Sequence, residues 1–139
     1  MTDLLIKKNQ STQTLDEFIE ALPSLLGCGP WKERESSNYP PENRYFRCFA
    51  LGLEIIACVA DDSEFMEYDF HLHLTPEFSR SDSEFLFELA DGVARKLVVS
   101  GYEVLRPFDS SRSGQGGLRY LFDPTAGTVP WQQVPTQKI

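Results

Sequence analysis

The chain has 139 residues, 41% of them hydrophobic and 24% charged, with 21 acidic side chains against 13 basic ones and a formal net charge of −8. A chain of this size and apolar content builds a hydrophobic core without disulfide staples, and its acidity argues against direct contact with nucleic-acid phosphates. Its richest apolar run, residues 49–60, is broken by Gly52 and Glu54 and is too short to span a membrane.

One domain over residues 1–139 is expected, with 1–13 and 124–139 irregular or mobile. The N-terminal stretch places Lys7 and Lys8 after its Leu4-Leu5-Ile6 patch, the wrong order for a secretory leader. A first helix starts at Thr14, where Thr14 and Glu17 form a capping box. Leu15, Phe18, Ile19, Leu22, Leu25 and Leu26 then share one helical face. Pro23 is expected to kink or break this helix, and Gly27 and Gly29 to end it. A strand over 31–37 and a proline-bearing loop over 38–43 follow.

Residues 45–50 and 53–60 form a hairpin turning at Leu51-Gly52, and an acidic four-residue turn, 61–64, leads into a strand over 65–74. There Met66, Tyr68, Phe70, Leu72 and Leu74 point one way and Glu67, Asp69, His71 and His73 the other. The second helix has its cap at Ser81 with Glu84 three residues on. Phe85, Leu86, Leu89, Ala90, Val93, Ala94, Leu97 and Val98 make its apolar stripe, and Gly101 is the residue just past its end. Residues 102–105 and 118–122 read as two closing strands around a glycine-rich connection, 110–117, and Trp131 is the one candidate anchor in the tail. The fold class is α+β: an antiparallel sheet of five to six strands with two amphipathic helices packed on one face.

Residues 54–91 carry eleven acids (Glu54, Asp61, Asp62, Glu64, Glu67, Asp69, Glu77, Asp82, Glu84, Glu88 and Asp91) against the single base Arg80, a local charge of −10. Such a field favours a cationic partner. If Ala60 pairs with Phe65, the residues Leu53, Ile55, Ala57 and Val59 oppose Leu72, Phe70, Tyr68 and Met66 on the core side. The other side then gathers Tyr45, Arg47, Phe49, Glu54, Ile56, Cys58, Glu67, Asp69, His71 and His73, with Glu54 across from His71. A face mixing aromatic, aliphatic and charged groups suits a binding surface, and equally a sheet face covered by a terminal segment.

Asp69-x-His71-x-His73 is the strongest chemical candidate. Alternate residues of a strand point the same way, so two imidazoles about 6.5–7 Å apart at the backbone can chelate one divalent metal with Asp69, while a solvated strand face explains the same residues. Glu54 and Glu67 are further oxygen ligands and Cys58 a soft one. The three cysteines, Cys28, Cys48 and Cys58, have no C-x-x-C spacing and sit in apolar surroundings, which reads as reduced, inert thiols of a cytoplasmic protein. No G-x-S-x-G is present, and the glycine-rich connection leads into a strand where a phosphate-binding loop needs a helix.

The leading functional expectation is a non-enzymatic protein-binding domain that captures a basic protein through Tyr45, Arg47, Phe49, Glu54, Asp61, Asp62, Glu64, Glu67 and Asp69. In profile it is similar to bacterial immunity proteins and other toxin inhibitors, which block cationic active sites; no motif carries that likeness. The second expectation is a metal-dependent enzyme or small-ligand binder built on His71, His73 and Asp69. A third is an accessory subunit whose mixed sheet face is a homo-oligomer interface. No membrane or nucleic-acid partner is expected, and no cofactor other than that divalent metal.

Overall fold

The computed structural model of the protein describes residues 2–8, 12–27, 29–50, 52–60, 67–77, 83–107, 117–121 and 131–132. Its elements run β1 (Thr2–Lys7), α1 (Leu15–Leu26), β2 (Lys32–Glu35), β3 (Arg44–Ala50), β4 (Leu53–Val59), β5 (Phe70–Pro76), α2 (Ser83–Val99), β6 (Glu103–Pro107), β7 (Gly117–Tyr120) and β8 (Trp131–Gln132). All eight strands join one antiparallel sheet in the order β2-β3-β4-β5-β1-β6-β7-β8. The fold is α+β, as the pattern of elements implies, with more strands than the five or six expected.

The two additional strands are β1 and β8. Residues 2–7 are not an irregular end: they lie at the middle of the sheet between β5 and β6, with Leu4 and Ile6 facing one side and Asp3 and Leu5 the other, all buried. A strand buried on both faces reads as a short apolar run without alternation, which is why the Leu4-Leu5-Ile6 patch resembles a frayed terminus on paper. Trp131–Gln132 add to the far edge by pairing with Tyr120 and Arg119.

Local signals place the helices. Thr14 Oγ1 accepts from the Glu17 N–H at 3.2 Å and Glu17 Oε1 accepts from the Thr14 N–H at 3.1 Å, the reciprocal pair of a capping box. Pro23 does not break α1; the helix continues through it to Leu26 and closes on Gly27, whose φ of 66° is the left-handed conformation that glycine adopts freely. After α2 the Gly101 N–H reaches the Val98 carbonyl at 3.0 Å and the Tyr102 N–H reaches Leu97 at 3.1 Å, a Schellman closure around the φ of 100° at Gly101. The expected cap at Ser81 lies outside the described residues.

The main core cluster draws Leu15, Phe18, Ile19 and Leu22 from α1, Leu86, Ala90, Ala94, Leu97 and Val98 from α2, and one face of the sheet. Leu4, Ile6, Ile55, Ala57, Phe70, Leu72, Leu74 and Val104 supply that face at the centre. Phe18 stacks on Phe70 with ring centroids 4.5 Å apart and meets Tyr102 edge-on. Phe85, expected in the α2 stripe, instead stands 53% exposed. Tyr68 also departs from expectation: it packs with Leu5 and Leu105 in a small cluster on the opposite side of the sheet.

The β3–β4 hairpin closes with Ala50 opposite Leu53, as expected; Leu51 lies outside the described residues. The β4–β5 register does not follow the expected four-residue turn. Leu53 lies opposite Pro76, not Leu72; Cys58 opposes His71; Glu54 opposes Thr75 and is removed from His71. The connection is longer because the Ala60 N–H bonds the Asp69 carbonyl and the Asp69 N–H bonds Ile6, so the strand starts only at Phe70. The offset of four residues is even, and an even slip leaves the side chains of β4 and β5 themselves on their expected faces.

Candidate metal centre

Antiparallel pairing of β1 with β5 puts Asp3 directly opposite His73 and Leu5 opposite His71. His71 and His73 share a face because they are two apart on a strand, and Asp3 arrives on that face from the neighbouring strand. The imidazoles stack at 3.9 Å between centroids with an interplanar angle of 22°. Both turn a nitrogen to the same carboxylate oxygen: His73 Nδ1 lies 2.6 Å and His71 Nε2 3.2 Å from Asp3 Oδ1. Asp3 is only 5% exposed, whereas the two histidines are half-buried. A carboxylate so deep in a sheet needs positive or polar neighbours, and the two imidazole nitrogens stand beside its Oδ1.

The three ligand atoms fall within 4.8 Å of one another. Metal–ligand bonds of about 2.0–2.2 Å put neighbouring ligand atoms about 3.0–3.4 Å apart, so the 2.6 Å Asp3–His73 contact would have to open by less than about 1 Å to admit a cation. Two imidazoles and one carboxylate suit zinc, iron or manganese, and three protein ligands leave further positions open.

The two imidazoles line a cleft of about 460 Å³. Ile56 and Cys58, the β4 partners of His73 and His71, form its floor beside them, and Asn38, Tyr39, Pro40 and Thr75 complete the walls. The loop carrying Tyr39 is closed on itself: Ser36 N–H bonds the Asn43 carbonyl at 2.9 Å, and Asn43, at φ 57°, returns an N–H to the Tyr39 carbonyl. Tyr39 is thereby held between Tyr45, at 4.4 Å, and the edge of His73, at 6.4 Å. The Cys58 thiol is pushed up to about 12, by burial first and by the Asp3 charge second, so it lines the cleft as a neutral, unreactive group.

The expected third ligand, Asp69, does not belong to this centre. It lies just before β5, where its carboxylate accepts the Lys8 backbone N–H at 2.9 Å. Asp3 takes its place. Its sequence signal was an acid set against an unbroken Leu-Leu-Ile run, a polar group that must be buried if the run is a strand. Its partners could not be read, because cross-strand neighbours are fixed by topology.

The expected partner surface is brought together only in part. Tyr45, Arg47, Phe49 and Glu54 share the outer face of β3 and β4; Arg47 pairs with Glu54 at 3.6 Å and lies over the ring of Phe49 at 5.3 Å. Glu67 sits apart, in a 3.0 Å ion pair with Arg119. Asp61, Asp62 and Glu64 lie outside the described residues. No helix among the described residues is long and apolar enough to cross a membrane. Comparison with known proteins finds no family model, no curated protein and no solved structure that matches this chain, so its chemistry is read from this geometry.

Proposed function

We propose that the protein binds a single divalent transition-metal ion through Asp3, His71 and His73, and that it presents the ion to the cleft beside Tyr39. The observation that carries this reading is the convergence of three ligand atoms within 4.8 Å from two adjacent central strands, one of them on a buried carboxylate. The central strands hold these ligands with little freedom, which is what a preorganised site requires. Stripped protein titrated with zinc by calorimetry is expected to take up one ion per chain, and Asp3→Asn and the double change His71→Ala, His73→Ala to abolish uptake. A folded protein, by circular dichroism, that takes up no zinc, manganese or iron(II) at micromolar concentrations would falsify the reading.

A second reading, capture of a basic protein partner, is supported by Phe49, which stands 53% exposed beside the Arg47–Glu54 pair on a chain of net charge −8. It predicts a stoichiometric basic protein that co-purifies at low salt and is lost at high salt or on Phe49→Ala. If the protein purifies alone at both salts, this second reading fails.

A further inference from the structure

The cleft itself narrows what the metal would meet. We propose that it takes a small monoanionic molecule with an apolar body, such as an aromatic or branched carboxylate, whose oxygen binds the metal ion. This rests on the metal-centre reading and goes beyond it by naming the class of ligand.

Charge is the first argument. No carboxylate, lysine or arginine lines the cleft among the described residues; beside the imidazoles its walls are Asn38, Tyr39, Pro40, Ile56, Cys58 and Thr75. Asp3 lies beneath the imidazoles, and a divalent ion held by that one carboxylate keeps a net charge of +1. A single anionic oxygen neutralises it. A dianion leaves an uncompensated negative charge in a partly desolvated site, on a chain already at −8. A cation finds no carboxylate in the walls to receive it.

Shape is the second argument. A volume of about 460 Å³ lies in the range of small-molecule sites, generally about 300–1,000 Å³. Ile56, Pro40 and the ring of Tyr39 give apolar surface, while Asn38 and Thr75 offer a few polar groups to fix orientation. Tyr39 is braced by Tyr45 and by its hydrogen-bonded loop, so the wall is rigid before any ligand arrives.

Benzoate, phthalate and benzylamine serve as mono-anionic, dianionic and cationic probes of similar body. Calorimetry on the zinc-loaded chain is expected to show benzoate binding at least about tenfold tighter than phthalate or benzylamine, a difference of about 1.4 kcal/mol. Metal-free protein is expected to show no benzoate binding. Tyr39→Ala is expected to weaken benzoate at least about threefold while zinc still loads at one per chain. The cobalt-loaded chain supplies a second readout, a change in its visible spectrum as benzoate enters the coordination sphere. If zinc loads and benzoate does not bind, or binds equally without metal, or phthalate binds as tightly, this proposal falls and the metal centre stands. If zinc does not load, both fall together.

Discussion

The two faces of the central strands differ although they are made by alternate residues of the same segments. On the helix side, Leu4, Ile6, Leu72 and Leu74 are fully buried against α1 and α2. On the other side, one residue away in sequence, Asp3, His71 and His73 bring a carboxylate and two imidazoles under a cleft. Apolar contact on the first face is non-directional and adds up over many residues. The polar trio depends on three atoms meeting, and its burial adds little or nothing to stability. The helix side thus fixes the strand positions, and the open side uses that rigidity to aim ligands.

The sharpest way to break this division is to weaken each face separately. Leu4→Ala removes a fully buried side chain from the middle of the sheet and is expected to cost about 2–5 kcal/mol, measured by urea denaturation of the metal-free protein. A cost near zero would mean that residues 2–7 do not form the central strand. Asp3→Asn is expected to do the reverse. Zinc affinity should fall at least about 100-fold, beyond the usual loss of an outer-sphere partner, while the urea midpoint moves less than in Leu4→Ala. If Asp3→Asn unfolds the chain as deeply as Leu4→Ala, the trio is a structural hydrogen-bond network, and the contrast between the faces disappears.

The same contrast explains what could be read from the sequence. Face assignments were legible because alternation has a strict period of two: His71 and His73 were placed together and opposite Phe70, Leu72 and Leu74 before any register was known. The register itself was not legible. It depended on where the connection after β4 ends, and backbone bonds from Ala60 to Asp69 and from Asp69 to Ile6 lengthen that connection. Glu54 was therefore placed beside His71, where Cys58 in fact lies. Asp3 was missed for a different reason. A strand paired on both edges and buried on both faces has no alternation to display, and its neighbours, β5 and β6, lie some 70 to 100 residues away in sequence. Local motifs such as the Thr14–Glu17 capping box and the Gly101 closure need no such partner, and both were legible.

Smaller effects sharpen the claim that helix placement is local. Thr14→Ala removes the acceptor for the Glu17 N–H while keeping the backbone N–H that donates to Glu17 Oε1, at a cost of about 1 kcal/mol by urea denaturation. Because α1 touches only the helix side, zinc stoichiometry is expected to stay at one. A loss of zinc binding in Thr14→Ala would show that the two faces are coupled through the sheet.

The weakest effect is also the one with a defined pH window. Arg44, held among Asp16, Glu33 and Glu42, lies 2.8 Å from the Asp16 carboxylate and holds its pKa below the ordinary 3.8. A carboxyl whose folded pKa is depressed stabilises the fold above its unfolded value, and the contribution is lost as the pH falls through the folded value. Asp16 is largely solvent-exposed, so screening limits the pair to a few tenths of a kcal/mol. Asp16→Asn should therefore lower stability slightly at pH 6, and the gap from wild type should close as the pH drops below about 4. Added salt should shrink the gap at pH 6 as well, because the pair is open to solvent. The metal centre offers the contrast: Asp3 is shielded by the sheet, so moderate salt should leave zinc affinity far less changed than the Asp16–Arg44 pair. Equal salt sensitivity at the two carboxylates would mean that Asp3 is reached by water as freely as Asp16, and the burial that sets the open face apart would be lost.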